Sequence, residues 1–202
     1  MDLFFQIAIL ILSVVIHEVA HGYAAFFLGD RTAEYQGRLT LNPLVHLELF
    51  GSIIVPTLTY LAGGFIIGWA KPVPFNPYNL RNQRWGEAIV AAAGPLANIF
   101  IALVFGLALR FLGPSGFLPE SFVVISQIVV FINIILAIFN LIPIPPLDGS
   151  KILFSILPLR MIELRHTIER YSLFLIIVFI FFLWRLVLPI VFWVFSLITG
   201  VV

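Results

Sequence analysis

Cysteine is missing from the chain altogether, and charge of either sign is scarce. The first absence removes disulfide cross-links and thiolate chemistry, and with them any inference about redox compartment. The second is more restrictive. Charged residues make up 10% of the 202 and hydrophobic ones 61%, at a mean hydropathy of +1.12. A soluble domain carries roughly 25% charged residues, so the chain reads as an integral membrane protein whose partner is the lipid bilayer. The net charge is only +1, and the basic residues fall in loops between apolar runs instead of forming a stripe, so no nucleic-acid partner is expected. No basic stretch precedes the first apolar run and no small-residue cleavage site follows it, so that run reads as retained and not as a signal peptide. Repeats, low-complexity tracts and long linkers are also missing. Residues 1–202 therefore read as one membrane domain, with a core over about 3–158 and a C-terminal membrane segment over about 171–202.

What the chain does contain is long apolar runs: Leu3 to Leu28, Gly86 to Leu112, Ser121 to Ile142, and Tyr171 to the C-terminus. At about 20 residues or more each, they predict an all-α polytopic membrane protein. Arg185 and Pro189 interrupt the last run, which fits either one kinked span or a span followed by an interfacial helix. The stretch from Gly51 to Trp69, broken by Pro56, Gly63, Gly64 and Gly68, fits a re-entrant segment that enters the membrane and returns, with a full span as the alternative. Gly64 and Gly68 also stand at the GxxxG spacing of helix pairs, which leaves a homo-oligomer open. Alternation in AEYQGRLTL, Ala33 to Leu41, suggests a short β-hairpin. Its edge could take an unwound peptide by strand addition, or the hairpin could only shape the loop.

Into the first run falls HEVAH, His17 to His21. Residues four apart share a helix face, so both imidazoles can meet one metal ion while Glu18 stands about a quarter-turn round. Two nitrogen ligands beside a carboxylate able to take a proton from water is the arrangement of a zinc hydrolase. Each ionisable group at membrane depth costs roughly 2.5 kcal/mol or more unless paired or hydrated, which disfavours a chance occurrence. Zinc then needs a further ligand. His46 and His166 lie in polar loops; Asp148 lies in NLIPIPPLDGSK, where Pro143, Pro145 and Pro146 cannot continue the preceding helix. An ordinary Asp-Gly turn, with Gly149 supplying the bend, would explain Asp148 equally well.

Taken together, HEVAH, GPLAN at Gly94 to Asn98 and NLIPIPPLDG at Asn140 to Gly149 resemble the site-2 proteases, zinc metalloproteases that cut other proteins within the membrane. The segments GRLTLNPLVHLELFGSIIVP and GWAKPVPFNP resemble the subgroup without a large soluble regulatory domain. The likeness runs from His17 to about Lys151 and implies a site-2-protease-like helical core forming a single protease domain. It also implies one Zn2+ ion held by His17, His21 and Asp148, with Glu18 as the catalytic base. Asn140 would be catalytic and substrate-binding, close to the substrate carbonyl or the developing oxyanion. Asn98 is a substrate-binding candidate, although packing would explain GPLAN as well. The chain departs from the family at His46-Leu47-Glu48-Leu49, where relatives read His-hydrophobic-Asp-Pro; the metal set is untouched by this.

Basic residues give an orientation. Lys71, Arg81 and Arg84 precede the Gly86 run, Lys151, Arg160, Arg165 and Arg170 follow Ile142, and the turn from Gly113 to Glu120 has none. Positive residues mark the cytoplasmic side, so the Gly86 span runs outward and the Ser121 span returns. The first helix must then start outside for His21 to reach Asp148. The expected protein is an intramembrane zinc metalloprotease acting on a transmembrane protein substrate, as in regulated intramembrane proteolysis, with its site toward the cytoplasm of a prokaryotic cytoplasmic membrane. A metal or ion transporter is the alternative, but inverted halves are not visible. A catalytically silent membrane binding protein would lack the base or a ligand, whereas Glu18 and all three proposed ligands are present.

Overall fold

The computed structural model describes residues 3–55, 58, 61 and 70–201. Helix α1 spans Leu3–Phe27, followed by the short helices α2 (Thr32–Tyr35) and α3 (Pro43–His46) and a π-helical turn at Phe50–Ile54. A strap over residues 70–82 leads to α4 (Gly86–Leu112), α5 (Glu120–Asn140), α6 (Asp148–Ile156) and α7 (Ile162–Arg170). The C-terminal helix comes as α8 (Ser172–Val178) and α9 (Trp184–Thr199), joined by the π-helical segment Phe179–Leu183. Among the described residues, four stretches are long and apolar enough to cross a bilayer: Phe5–Phe27, Gly86–Ser115, Glu120–Asn140 and Ser172–Thr199. The fold is that of an all-α polytopic membrane protein.

Helix α4 occupies the centre, packing against α1, α5, α6 and α9. Its buried face includes the small residues Ala91, Gly94, Ala102 and Gly106. Small residues let membrane helices approach closely, and a Cβ at Gly106 would strike Ile198 of α9. One apolar cluster joins Ala102, Val130, Ile134 and Val191. A second, made of Ala25, Leu80 and Val90, pins the strap against α1 and α4. Between the two alternatives for the C-terminal run, the chain takes the continuous helix. Pro189 lies inside α9, and the interruption near Arg185 takes the form of the π-helical segment just before it.

The expected β-hairpin is not formed; among the described residues there is no strand. Local hydrogen bonds overrule the alternation of Ala33 to Leu41. Helix α1 ends at Phe27, and Gly29 in the turn that follows has a positive φ of 108° that favours glycine. The Asp30 carboxylate then accepts from the Thr32 amide at 3.2 Å and its hydroxyl at 2.6 Å, a local turn just ahead of α2. Gly37, at φ 64°, closes that turn, with the Arg38 amide donating to the Ala33 carbonyl at 2.9 Å. Strand addition at this segment loses its basis. Most of the stretch from Gly51 to Trp69, expected as re-entrant, lies outside the described residues, as do Gly64 and Gly68.

The strap is stitched across α1. Lys71 donates its amide to the His46 carbonyl at 2.8 Å, and Arg81 to the Leu28 carbonyl at 2.8 Å. Asn76 donates its amide to Asp30 at 2.7 Å, and Asn79 its side-chain amide at 2.9 Å. Arg38, 5% exposed, donates to the carbonyls of Val45, Lys71 and Pro72. One cation thereby ties the α3 carbonyl of Val45 to two carbonyls of the strap.

Candidate metal centre

The i, i+4 spacing on α1 presents His17 and His21 to the same side, and α4 approaches them at Gly94. A Cβ there would lie 2.5 Å from His21 Nε2 and 2.6 Å from His17 Nε2, so only glycine leaves room for both rings. Asp148 arrives from the other direction. Three prolines end α5 and the following turn, and α6 restarts with Asp148 as its first residue. Gly149 matters for clearance and not, as its sequence context suggested, for a turn: it lies within α6, and a Cβ there would strike the Leu141 carbonyl.

Three donor atoms converge. His17 Nε2 and His21 Nε2 are 3.0 Å apart, and Asp148 Oδ2 stands 3.1 Å from the first and 3.2 Å from the second. All three residues are buried. Metal–ligand lengths of about 2.0–2.2 Å in a tetrahedral site imply donor separations of roughly 3.3 Å, close to those seen. The protons point the same way. His21 Nδ1 faces the Val90 carbonyl at 2.7 Å, and His17 Nδ1 faces Asn98 Oδ1 at 2.6 Å. Both partners only accept, so each Nδ1 carries the hydrogen and each Nε2 turns a lone pair toward Asp148. Two lone pairs and a carboxylate oxygen at such distances repel unless a cation lies among them. The donor set fits a zinc ion.

Glu18, on the adjoining face of α1, accepts from the Val73 amide of the strap at 2.8 Å. It borders a cleft of about 120 Å³ lined also by His17, His21, Phe75, Asn140, Asp148 and Lys151. Asn140, the last residue of α5, donates one amide hydrogen to the Leu136 carbonyl at 2.9 Å. Lys151 approaches Asp148 Oδ1 at 4.0 Å and stands over the Phe75 ring.

The sequence-predicted residues thus divide. His17, His21 and Asp148 form the cluster, with Glu18 and Asn140 on the same cleft. Asn98 is fully buried behind His17 and does not line the cleft. Neither remaining histidine joins the cluster: His46 is buried with Nε2 on the Thr40 carbonyl, and His166 is exposed beside Glu169. Sequence reasoning missed Ser13 and Asn133, whose signal was available as lone polar residues inside apolar runs. It also missed Arg38 and the Val73 amide, for which nothing local gives a sign.

Comparison with known proteins agrees with this geometry. The profile of peptidase family M50 matches residues 5–119 and 116–183. YwhC of Bacillus subtilis (strain 168), provisionally named a zinc metalloprotease, is 38% identical over 159 residues, covering 74% of this chain and 67% of that protein. A protein of Mycolicibacterium smegmatis with the same provisional description is 33% identical over 140 residues, 69% of this chain and 52% of its own length. One from Methanocaldococcus jannaschii is 30% identical over 159 residues, 74% of this chain and 72% of that protein. The matched part spans about half the length of the mycobacterial relative. No solved structure gives a significant match.

Proposed function

The chain belongs to peptidase family M50, the site-2 protease family, and from that premise we propose an intramembrane zinc metalloprotease that hydrolyses peptide bonds in or near transmembrane segments of membrane-protein substrates, as in regulated intramembrane proteolysis. The observation that carries this reading is the meeting of His17 and His21, on a helix long enough to cross a bilayer, with Asp148 of the short helix α6, beside Glu18. One Zn2+ ion would be held by the three donors. When bound, zinc supplies Lewis acidity toward the attacking water and the scissile carbonyl.

The remaining chemistry belongs to side chains of the cleft. Glu18, with one oxygen on the Val73 amide, takes the proton of the attacking water on the other and returns it to the leaving amine. Asn140 keeps a second amide hydrogen beyond the one it gives Leu136 and donates it to the oxyanion, a contact worth roughly 2.7–4 kcal/mol in hydrolases. A transmembrane helix hides its carbonyls in internal hydrogen bonds, so the substrate unwinds locally before it reaches the cleft. The basic residues of 70–85 and 151–170 support a site facing the cytoplasm of a prokaryotic cytoplasmic membrane.

Purified chain should carry zinc, His17→Ala and Asp148→Ala should lose it, and Glu18→Gln should keep it. Reconstituted with candidate transmembrane substrates, the parent should cleave and Glu18→Gln should be slower by about 10²–10⁴-fold. A parent that takes up no zinc even after reloading would end the metalloprotease reading. Ion flux into vesicles, without cleavage, would favour the transporter.

A further inference from the structure

Two buried polar side chains take no part in the chemistry above. Ser13 lies one turn before His17 on α1 and Asn133 midway along α5, 4% and 0% exposed. Polar groups at membrane depth carry a penalty unless hydrogen-bonded, and these two are bonded to one another and, through Asn98, to His17. We propose that Asn133 and Ser13 are positioning residues that fix the proton of His17, by setting which way round the Asn98 carboxamide stands. The proposal deepens the metalloprotease reading and rests on it.

The relay is fixed from the end that cannot change. The Val129 carbonyl only accepts, and Asn133 Nδ2 lies 2.8 Å from it. The same amide nitrogen donates to Ser13 Oγ at 2.9 Å. Asn133 Oδ1 is therefore turned toward α4, where it accepts from Asn98 Nδ2 at 2.8 Å. The second hydrogen of that nitrogen goes to the Ser13 carbonyl at the longer distance of 3.3 Å. With its nitrogen so engaged, Asn98 can offer His17 only its oxygen, at 2.6 Å from Nδ1. An acceptor there requires the hydrogen on Nδ1 and leaves the Nε2 lone pair for the metal. His21 reaches the same state in a single step, on the Val90 backbone carbonyl at 2.7 Å. One ligand is set by backbone and the other by a relay of side chains from three helices.

That asymmetry gives the test. Chain labelled with ¹⁵N-histidine is prepared metal-free in detergent as parent, Asn133→Leu and Ser13→Ala; ring nitrogen shifts are recorded, then zinc affinity is measured by competition with a chelator. In Asn133→Leu the His17 signals should move toward a mixture of tautomers while those of His21 stay, and zinc affinity should fall about 10–100-fold. Ser13→Ala should lose only a few-fold, because the Val129 carbonyl still holds the Asn133 amide. Unchanged His17 signals and unchanged affinity in both variants would overturn the proposal, and so would His17 and His21 signals moving together, which indicates general loosening. Should Asn133→Leu not fold, Ser13→Ala decides by the same two readouts. A parent that binds no zinc sinks the metalloprotease reading instead, and the tautomer of the metal-free parent and variants still judges the relay.

Discussion

His17 and Glu18 are neighbours on α1, yet opposite parts of the molecule hold them. The imidazole is gripped from the membrane side, by Asn98 of α4 and behind it Asn133 of α5. The carboxylate is gripped from the loop side, by the backbone amide of Val73 on a strap that Arg38 and Asp30 tie down. The spanning helices set the two proposed histidine donors, and a loop amide sets the proposed base. The difference teaches that metal affinity and proton transfer answer to separate structures, and each can be broken while the other stands.

The largest effect is expected on the membrane side. Gly94→Ala puts a methyl group within 2.6 Å of both Nε2 atoms, where the rings must turn away from Asp148. Alanine is the better helix former, so α4 should persist while zinc affinity falls at least about 100-fold, more than the upper range for lost outer-shell partners. Circular dichroism and chelator competition measure the two. Full zinc occupancy in this variant would show that the donors meet somewhere other than the gap over Gly94.

On the loop side the expectation is smaller and of a different kind. Arg38→Ala leaves the carbonyls of Val45, Lys71 and Pro72 without their donor, at about 1–3 kcal/mol for each buried group left unmet. The strap should drift and take the Val73 amide from Glu18. Cleavage should slow roughly 10-fold or more, as expected for about 1.4 kcal/mol, with zinc content unchanged. Arg38→Lys should recover only part of the rate, since an ammonium lacks the planar fork that spans several carbonyls. Loss of zinc alongside activity would dissolve the separation between the two sides.

How much of this was legible depends on how far each signal travels along the chain. HEVAH could be read because its geometry is one helical turn and its cost at membrane depth is high; the spans could be read from length and hydropathy alone. Asp148 needed the family likeness, because an Asp-Gly pair after prolines looks like a turn. Asn98 was noticed in GPLAN, but its destination was not, since its partners lie 81 and 35 residues away. Distance also hid Arg38, two of whose three carbonyls belong to a segment more than 30 residues on. The hairpin was misread for the opposite reason. Alternation in Ala33 to Leu41 is a weak preference, and the Asp30 hydrogen bonds to Thr32 with Gly37 at positive φ form a specific local structure that outcompetes it.

Asp30 offers the mildest way to sharpen the comparison, since it ties the strap far from the metal donors. Burial pushes its carboxyl up, but donors from the Thr32 hydroxyl, the Asn79 amide and the backbone of Asn76 and Thr32 outweigh this and hold it below the ordinary 3.8. A carboxyl lowered in the folded state binds fewer protons there than when unfolded. Its contribution to stability is therefore complete above the ordinary value and is lost as pH falls through the folded one. A carboxamide at this position does not titrate, so Asp30→Asn should be less stable at pH 7 by about 1–3 kcal/mol and should differ less from the parent in strong acid. Thermal unfolding of metal-free chain in detergent at pH 7 and pH 3 measures both. Equal acid sensitivity in the two chains would mean that the Asp30 tie does not survive in solution, and that Arg38 and the backbone bonds at Lys71 and Arg81 position the strap without it.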